Sequence, residues 1–253
     1  MSENNSPPIR KTTETSLTIL DALRELNGAT LSELAEYTSL ATSTLHTHLH
    51  TLTRNEYVTQ IDREYQLGLK LFHLGEDARS RDNRYRLARK AALELASKVT
   101  EGVNFSIEEY GRSIVLYDES STPHHEKFQT GRYFDMHSSA SGKAMLAEYP
   151  RERVREIVER SGMPRHTDNT ITDIQNLFTE LDQIADQGYA VNRQEEIAGL
   201  RSIAMVVNAP DGSVFGTLDI SGPPYRLPAD EEIASQLRVA VDDLQASLEA
   251  YSP

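Results

Sequence analysis

The sequence predicts an α/β (α+β) chain: a winged helix-turn-helix over residues 13–68, a linker helix over 69–82 and an α/β domain over 83–253. Three observations predict it. A capped helix, a leucine-striped helix and a short hairpin follow one another at tight spacing between Leu31 and Leu67. A stretch rich in arginine and acid, Asp77 to Arg89, separates that run from the rest. The remainder alternates strand-like and helix-like segments and lacks a dinucleotide-binding glycine fingerprint, which suggests a sensory α/β fold.

Residues 1–12 read as a disordered lead. Leu17, Ile19, Leu20, Leu23 and Leu26 mark an amphipathic first helix stopped by Asn27-Gly28. Thr30 precedes Leu31-Ser32-Glu33, so its hydroxyl can cap the second helix while Glu33 reaches back, a capping box. Thr38-Ser39-Leu40 turns the chain into a third helix, Thr42 to Leu52, where Leu45, Leu49 and Leu52 recur at i, i+4, i+7 as a buried stripe. At about 100° per residue, Ser43, Thr47, His50 and Arg54 fall opposite that stripe with His46 beside them. Small hydroxyls at the start of such a helix, Ser43 and Thr44 among them, and hydrogen-bonding groups along its outer face suit the major groove of DNA. Any small helical domain also carries polar outer faces, so the order helix, helix, helix, hairpin carries the reading. Residues 57–61 and 64–67 alternate around Asp62-Arg63 as a hairpin, with Arg63 at the tip of the wing.

After the linker helix, a helix runs through Val99 and Gly102 is expected to close it. Residues 103–109 and 113–118 form a hairpin, 128–136 a strand pair or strand-loop, and 139–148 and 151–160 helices. A helix over 174–187 ends at Gly188, a short strand covers 189–193, and strands 203–208 and 214–221 flank Ala209-Pro210-Asp211-Gly212. A long helix, 229–251, closes the chain.

The chain has 253 residues, no cysteine, 38% hydrophobic and 26% charged residues, enough apolar matter for buried cores and no thiol chemistry. No apolar run approaches a membrane span and the first ten residues are polar, so a cytoplasmic protein with no membrane partner is expected. The net charge is -13, and residues 1–80 hold seven basic against eleven acidic side chains, against the usual basic face of a DNA binder. Acids spread along the chain, with six lysines beside twenty arginines, resemble the composition of halophile proteins, whose charges work under strong screening.

Two segments of the second half could carry chemistry. His137-Ser138-Ser139-Ala140-Ser141-Gly142-Lys143 looks like a phosphate loop but lacks the first glycine and the hydroxyl after lysine that nucleotide binding requires, so no cofactor is read. It could be a helix start whose free amides hold a small anion, or an ordinary serine-capped helix. In Val214 to Gly222, Leu218 and Ile220 share one face and Thr217, Asp219 and Ser221 the other, a row that could line a polar pocket or face solvent. The carboxylates of Glu195-Glu196, ahead of Gly199, could serve the same pocket or solvate a loop. His46 and His50 have zinc-ligand spacing without a third ligand in sequence, and His124-His125 is a loop pair; no metal site is expected.

Taken together, the winged-helix run with Ser43-Thr44-Leu45-His46, Tyr57-Val58, Tyr65 to Gly68, Met136 to Ala147, Glu195 to Ala204 and Asp219-Ile220-Ser221-Gly222-Pro223 resembles the IclR family of transcriptional regulators from about Thr15 to Ala250. The resemblance implies a winged helix that binds double-stranded DNA at a palindromic operator, a linker helix that helps to form a homodimer or tetramer, and a GAF-like effector-binding domain. It implies a regulator rather than an enzyme. Family members respond to small metabolites, often organic, sugar or aromatic acids. Matching positions suggest that Ala140, Ser141, Asn192, Ser202, Asp219 and Ser221 line the effector pocket, with His137 at the head of the serine-rich string. Asp219 stands where relatives commonly have serine, and a carboxylate there suits a hydroxylated ligand such as a sugar acid. The DNA-contacting set implied is Ser43, Thr44, His46, Thr47, His50, Arg54 and Arg63. The alternative is a metabolite-binding module or enzyme whose N-terminal helices serve assembly only.

Overall fold

The computed structural model describes residues 8–119 and 130–251. Residues 1–7 of the expected lead, residues 128 and 129 of the expected strand pair, and His124-His125 lie outside the described residues. The chain divides into two compact units, 1–81 and 82–253.

In the first unit, α1 spans Lys11–Glu25 and so begins well before Leu17, inside the expected lead. The correction has a local cause. Thr15 and Thr18 donate their hydroxyls back to the carbonyls of Lys11 and Glu14, and Glu14 sits in the first turn, where the helix dipole favours an acid. The helix ends as expected: Asn27 and Gly28 adopt left-handed backbone, with the Gly28 amide donating to the Leu23 carbonyl at 3.0 Å. A strand the sequence reading lacked, β1 (Ala29–Thr30), follows, then α2 (Leu31–Thr38) and α3 (Thr42–Arg54). Both halves of the capping box form at Thr30 and Glu33. β2 (Val58–Ile61) and β3 (Glu64–Leu67) make the hairpin, and β1 pairs with the free edge of β3 in an antiparallel sheet of order β1-β3-β2. Ile19 and Leu23 of α1, Leu34 of α2, and Leu45, Leu49 and Leu52 of α3 close one core with Val58. α4 spans Lys70–Arg79.

The second unit opens with α5 (Tyr85–Ala96) and the hairpin β4 (Gly102–Glu109) and β5 (Arg112–Glu119). Gly102 does not close a helix: it opens β4 opposite Ser221, a pairing invisible to local pattern. Then come β6 (Tyr133–Asp135), α6 (Ala140–Ala147), α7 (Arg151–Ser161), α8 (Ile174–Gln187), β7 (Ala190–Arg193), β8 (Arg201–Asn208), β9 (Val214–Gly222) and α9 (Asp230–Glu249). The six strands form one sheet, order β6-β5-β4-β9-β8-β7, antiparallel at every pairing.

Side chains alternate between the sheet's faces. Val103, Phe105, Ile203, Met205, Leu218 and Ile220 share one apolar cluster with Ala88 and Ala92 of α5 and Leu237, Val241 and Leu244 of α9. On the opposite face, Ala190 and Ala204 join Ala144 and Met145 of α6 and Leu177 and Leu181 of α8. The rest of that face is polar yet buried: Asn104, Ser106, Ser202, Thr217, Asp219 and Ser221 are each at most 6% exposed. This overturns the solvent-facing reading of the row Thr217, Asp219, Ser221.

The wing depends on one close approach. A Cβ at Gly68 would lie 2.2 Å from the backbone oxygen of Glu56, beside the Gly68 amide's 2.8 Å hydrogen bond to Tyr57. Gly68→Ala is expected to cost about 1–3 kcal/mol, measured by urea unfolding of the full chain. Unchanged stability would show that the turn is not packed this tightly.

Candidate nucleic-acid interface and ligand pocket

In the first unit, α3 turns Ser43, His46, Thr47, His50 and Arg54 outward, while Thr44 is half-buried. Its N-cap, Ala41, has no side-chain oxygen, so the first amides of α3 are left to an outside acceptor such as phosphate. The Thr47 hydroxyl donates to the Ser43 carbonyl at 3.0 Å, which leaves lone pairs and a methyl group pointing outward. Those suit a base amino donor and a thymine methyl. His48, half-buried and not singled out in the sequence, meets Ser16 Oγ of α1 through Nδ1 at 2.8 Å and so fixes the angle of α3. Arg63 is exposed in the hairpin turn beside Asp62, whose backbone is left-handed.

In the second unit, the buried polar face borders a small cavity, roughly 290 Å³ of atom-free space with its mouth included. Ala140, Ser141, Asn192, Ser202 and Asp219 line it together with Ser106, Val115, Phe134, Ser139 and Glu196. Ser221 stands just outside the lining, within reach of Asn104 Nδ2 at 3.2 Å. His137 also stands outside, its Nε2 donating to the Pro164 carbonyl at 3.1 Å and its ring 6.0 Å from that of His166. Burial lowers the His137 pKa, so this ring favours its neutral form.

The start of α6 forms one wall. Ser139 caps it, accepting from the Gly142 amide at 3.1 Å. A Cβ at Gly142 would lie 2.5 Å from the backbone of Met136, so only glycine lets this turn fold onto the preceding segment. The next residue, Lys143, is fully buried, and its ammonium donates to Glu180 of α8 at 2.9 Å and to Glu195 at 2.6 Å. Glu195 is fixed further by its own amide donating to Asn192 Oδ1 at 2.8 Å. Thr170 donates to the Glu195 carbonyl at 2.6 Å. The loop thus held presents Glu196 to the cavity, with Ser138 Oγ donating to its carboxylate. Burial raises the Glu196 pKa, opposed by that hydrogen bond.

The floor is Asp219 on β9. Burial, opposed by a 2.9 Å hydrogen bond from Asn104 and reinforced by the charge of Asp118, pushes its pKa up to about 7. The sequence reading missed Ser106 and Asn104, although Asn104, Ser106 and Glu108 alternate along β4 as a polar row would. Among the described residues, no group of three or more His, Cys, Asp or Glu could hold a metal ion.

Residues 80–246 match the family described as Bacterial transcriptional regulator IclR C-terminal, and residues 13–62 match the IclR helix-turn-helix domain. The chain belongs to the IclR family of transcriptional regulators. It is 31% identical over 255 residues to the probable HTH-type transcriptional regulator ArcR of Halobacterium salinarum, covering 97% of each chain. It is 30% identical over 235 residues to the HTH-type transcriptional regulator KdgR of Escherichia coli, covering 91% of this chain and 89% of that one. Among solved structures, the Thermotoga maritima IclR is similar in fold, with a TM-score of 0.75 at 23% identity over 94% of this chain and 98% of that one. The C-terminal domain of the E. coli KdgR covers 66% of this chain and 99% of its own length at a TM-score of 0.60 and 28% identity. This IclR-family protein is therefore a DNA-binding regulator with a C-terminal effector-binding domain, and not an enzyme.

Two substitutions test the pocket's electrostatics. Lys143→Met leaves Glu180 and Glu195 facing a buried apolar group, and is expected to cost about 3–5 kcal/mol in urea unfolding; a loss under about 1 kcal/mol would place the ammonium in solvent. Asp219 keeps a proton in the folded chain that the unfolded chain releases, so its contribution to stability falls as pH rises from its ordinary 3.8 to about 7. Asp219→Asn should therefore raise Tm more at pH 8 than at pH 4, read by calorimetry; an equal shift at both would mean the carboxyl is not held protonated.

Proposed function

We propose that this IclR-family regulator binds a palindromic operator as a homodimer or tetramer, and that a small organic or sugar acid in the second unit's cavity controls that binding. The observation that carries the effector half is convergence: the capped start of α6, Asn192, Ser202 and Asp219, from separate elements of the chain, line one small cavity open at its mouth. A carboxylate would sit against the backbone amides of Ala140 and Ser141 in the first turn of α6, since the Ser139 amide and hydroxyl both donate to the Asp135 carbonyl and the Ser141 hydroxyl pairs with that of Ser113. Glu196 and Asp219, both raised by burial, lose part of the repulsion that full charges would exert on such a ligand.

On the DNA side, Ser43, Thr44, His46, Thr47 and His50 read base edges in the major groove, and Arg54 and Arg63 contact phosphates. Two cations on this face are few, which fits a chain of net charge -13 and a halophile-like setting where phosphate attraction is screened. No helix among the described residues is long and apolar enough to cross a membrane, and the reading places the protein in the cytoplasm, with its operator.

Fluorescence anisotropy with DNA from upstream of the protein's own gene tests this reading. With two phosphate contacts per protomer, log K should fall against log salt with a slope of roughly -2 per protomer, and a specific complex should persist in molar salt. Arg54→Ala should flatten that slope by about one. His46→Ala should weaken the specific complex by roughly 1–3 kcal/mol without changing the slope. Absence of a specific complex at every salt concentration would reject the proposal.

A further inference from the structure

The floor of the cavity carries hydrogen-bonding capacity that the protein itself leaves unused. Ser106 lines the cavity, is 1% exposed, and its Oγ has no hydrogen-bond partner. Asp219 lines the same floor, two residues along β9 from Thr217, the cross-strand neighbour of Ser106. Asn104, wholly buried, donates through Nδ2 to Asp219 Oδ2 at 2.9 Å and to Ser221 Oγ at 3.2 Å. Both bonds fix the amide's orientation and hold the Asp219 carboxyl in place. They also leave Asn104 Oδ1 buried without a partner.

An unmade hydrogen bond at a buried polar group costs about 1–3 kcal/mol, so a binding domain that keeps such groups keeps them for a ligand or an ordered water. The missing partner has a definite chemistry. A carboxylate accepts and cannot donate, and a serine hydroxyl does both, so Asp219 and Ser106 together call for a group that donates and accepts. A hydroxyl is that group. An ammonium donates but cannot accept, so it would leave the Ser106 hydroxyl proton unpaired, whereas a hydroxyl serves both groups.

We infer that Asp219 and Ser106 form a hydroxyl-reading subsite, positioned by Asn104, that selects acid effectors carrying a hydroxyl group over their deoxy counterparts. This rests on the acid-effector reading above and adds the end of the molecule that the α6 wall does not read. Specificity follows from the cost of leaving these groups unpaired: a deoxy ligand fills the space, expels water and satisfies nothing on the floor.

The test is isothermal titration of the full-length protein at pH 7 with two matched pairs, glycerate against propionate and gluconate against hexanoate. The hydroxylated member of at least one pair is expected to bind about tenfold or more tightly. Asp219→Ala and Ser106→Ala should each reduce that preference, read as the ratio of the two affinities within a pair, to under about threefold. Asn104→Ala should also erode the preference, and Asp219→Asn, which keeps an acceptor oxygen, should retain most of it. That contrast separates reading a hydroxyl from merely supporting the fold. Equal binding within both pairs, or variants that weaken both members equally, overturns the subsite and leaves the acid reading standing. Tighter binding of β-alanine than of glycerate would put an ammonium on the floor and overturn the assignment. Silence from all four acids overturns both this inference and the acid reading.

Discussion

One buried ammonium organises the second unit. Lys143 leaves α6 immediately after the glycine turn and ends between a carboxylate on α8 and one on the loop after β7. Bringing this charge out of water is unfavourable by itself, and two short charge-assisted hydrogen bonds offset the cost only while all three groups keep their places. The triad therefore acts as a positional lock more than as a source of net stability. It draws the loop of Glu195 onto α6, and that loop presents Glu196 to the cavity whose opposite floor is the sheet.

The same logic explains why the sheet has two unlike faces. Toward α5 and α9 it is filled with Phe105, Ile203, Leu218 and Ile220, and packing there follows apolar area alone. Toward α6 the buried apolar residues of the sheet are Ala190 and Ala204, too small to fill the layer, with Val206 and Val214 half-buried at its margin, and the neighbouring positions on the cross-strand rows include Asn104, Ser106, Asp219 and Ser202. Short side chains leave space, and polar ones make that space a poor place for hydrocarbon. A protein selected only for stability would fill it with valine and leucine. The cavity is a local departure from close packing that the two apolar clusters around it can carry.

How much of this was legible in the sequence depends on the distance over which each feature is determined. The capping box at Thr30, the leucine stripe of α3 and the stop at Asn27-Gly28 are decided within a few residues, and they stand where the pattern put them. The presence of the second hairpin and the ends of α8 were equally local, although Arg112, expected in the turn, opens β5 opposite Glu109. β1 was missed because two residues have no periodicity and become a strand only when the edge of β3 arrives beside them. Gly102 was misread for the same reason, since its partner is Ser221. Alternation correctly placed Thr217, Asp219 and Ser221 on one face, but period-two pattern cannot tell a solvated face from a polar face covered by a helix. What covers it is α6, and nothing in either segment alone announces the meeting. Asn104 was silent because a buried asparagine is informative only once its carboxylate, 115 residues away, is known.

The helix-turn-helix unit raises the opposite difficulty, since its elements were clear but its charge was not. A net charge of -13 would repel DNA at low ionic strength, and a face with two arginines cannot neutralise many phosphates. At about 1 M salt the Debye length is roughly 3 Å, so neither repulsion by distant acids nor attraction by distant lysines survives, and only groups in direct contact count. Under those conditions a helix that commits hydroxyls, imidazoles and uncapped amides to direct contact loses little affinity, because each such bond acts over one hydrogen-bond length. Its orientation then matters more than its charge. The rigid elements that set it are the leucines packed on α1 and α2 and the Ser16–His48 contact, which hold α3 at one angle before any DNA arrives. Preorganisation of this kind lowers the entropy lost on binding and leaves the contact energy to discriminate between sequences. A face poor in charge is then consistent with a protein that separates its operator from other DNA by geometry, since the screened phosphate term, common to every sequence, contributes little to either complex.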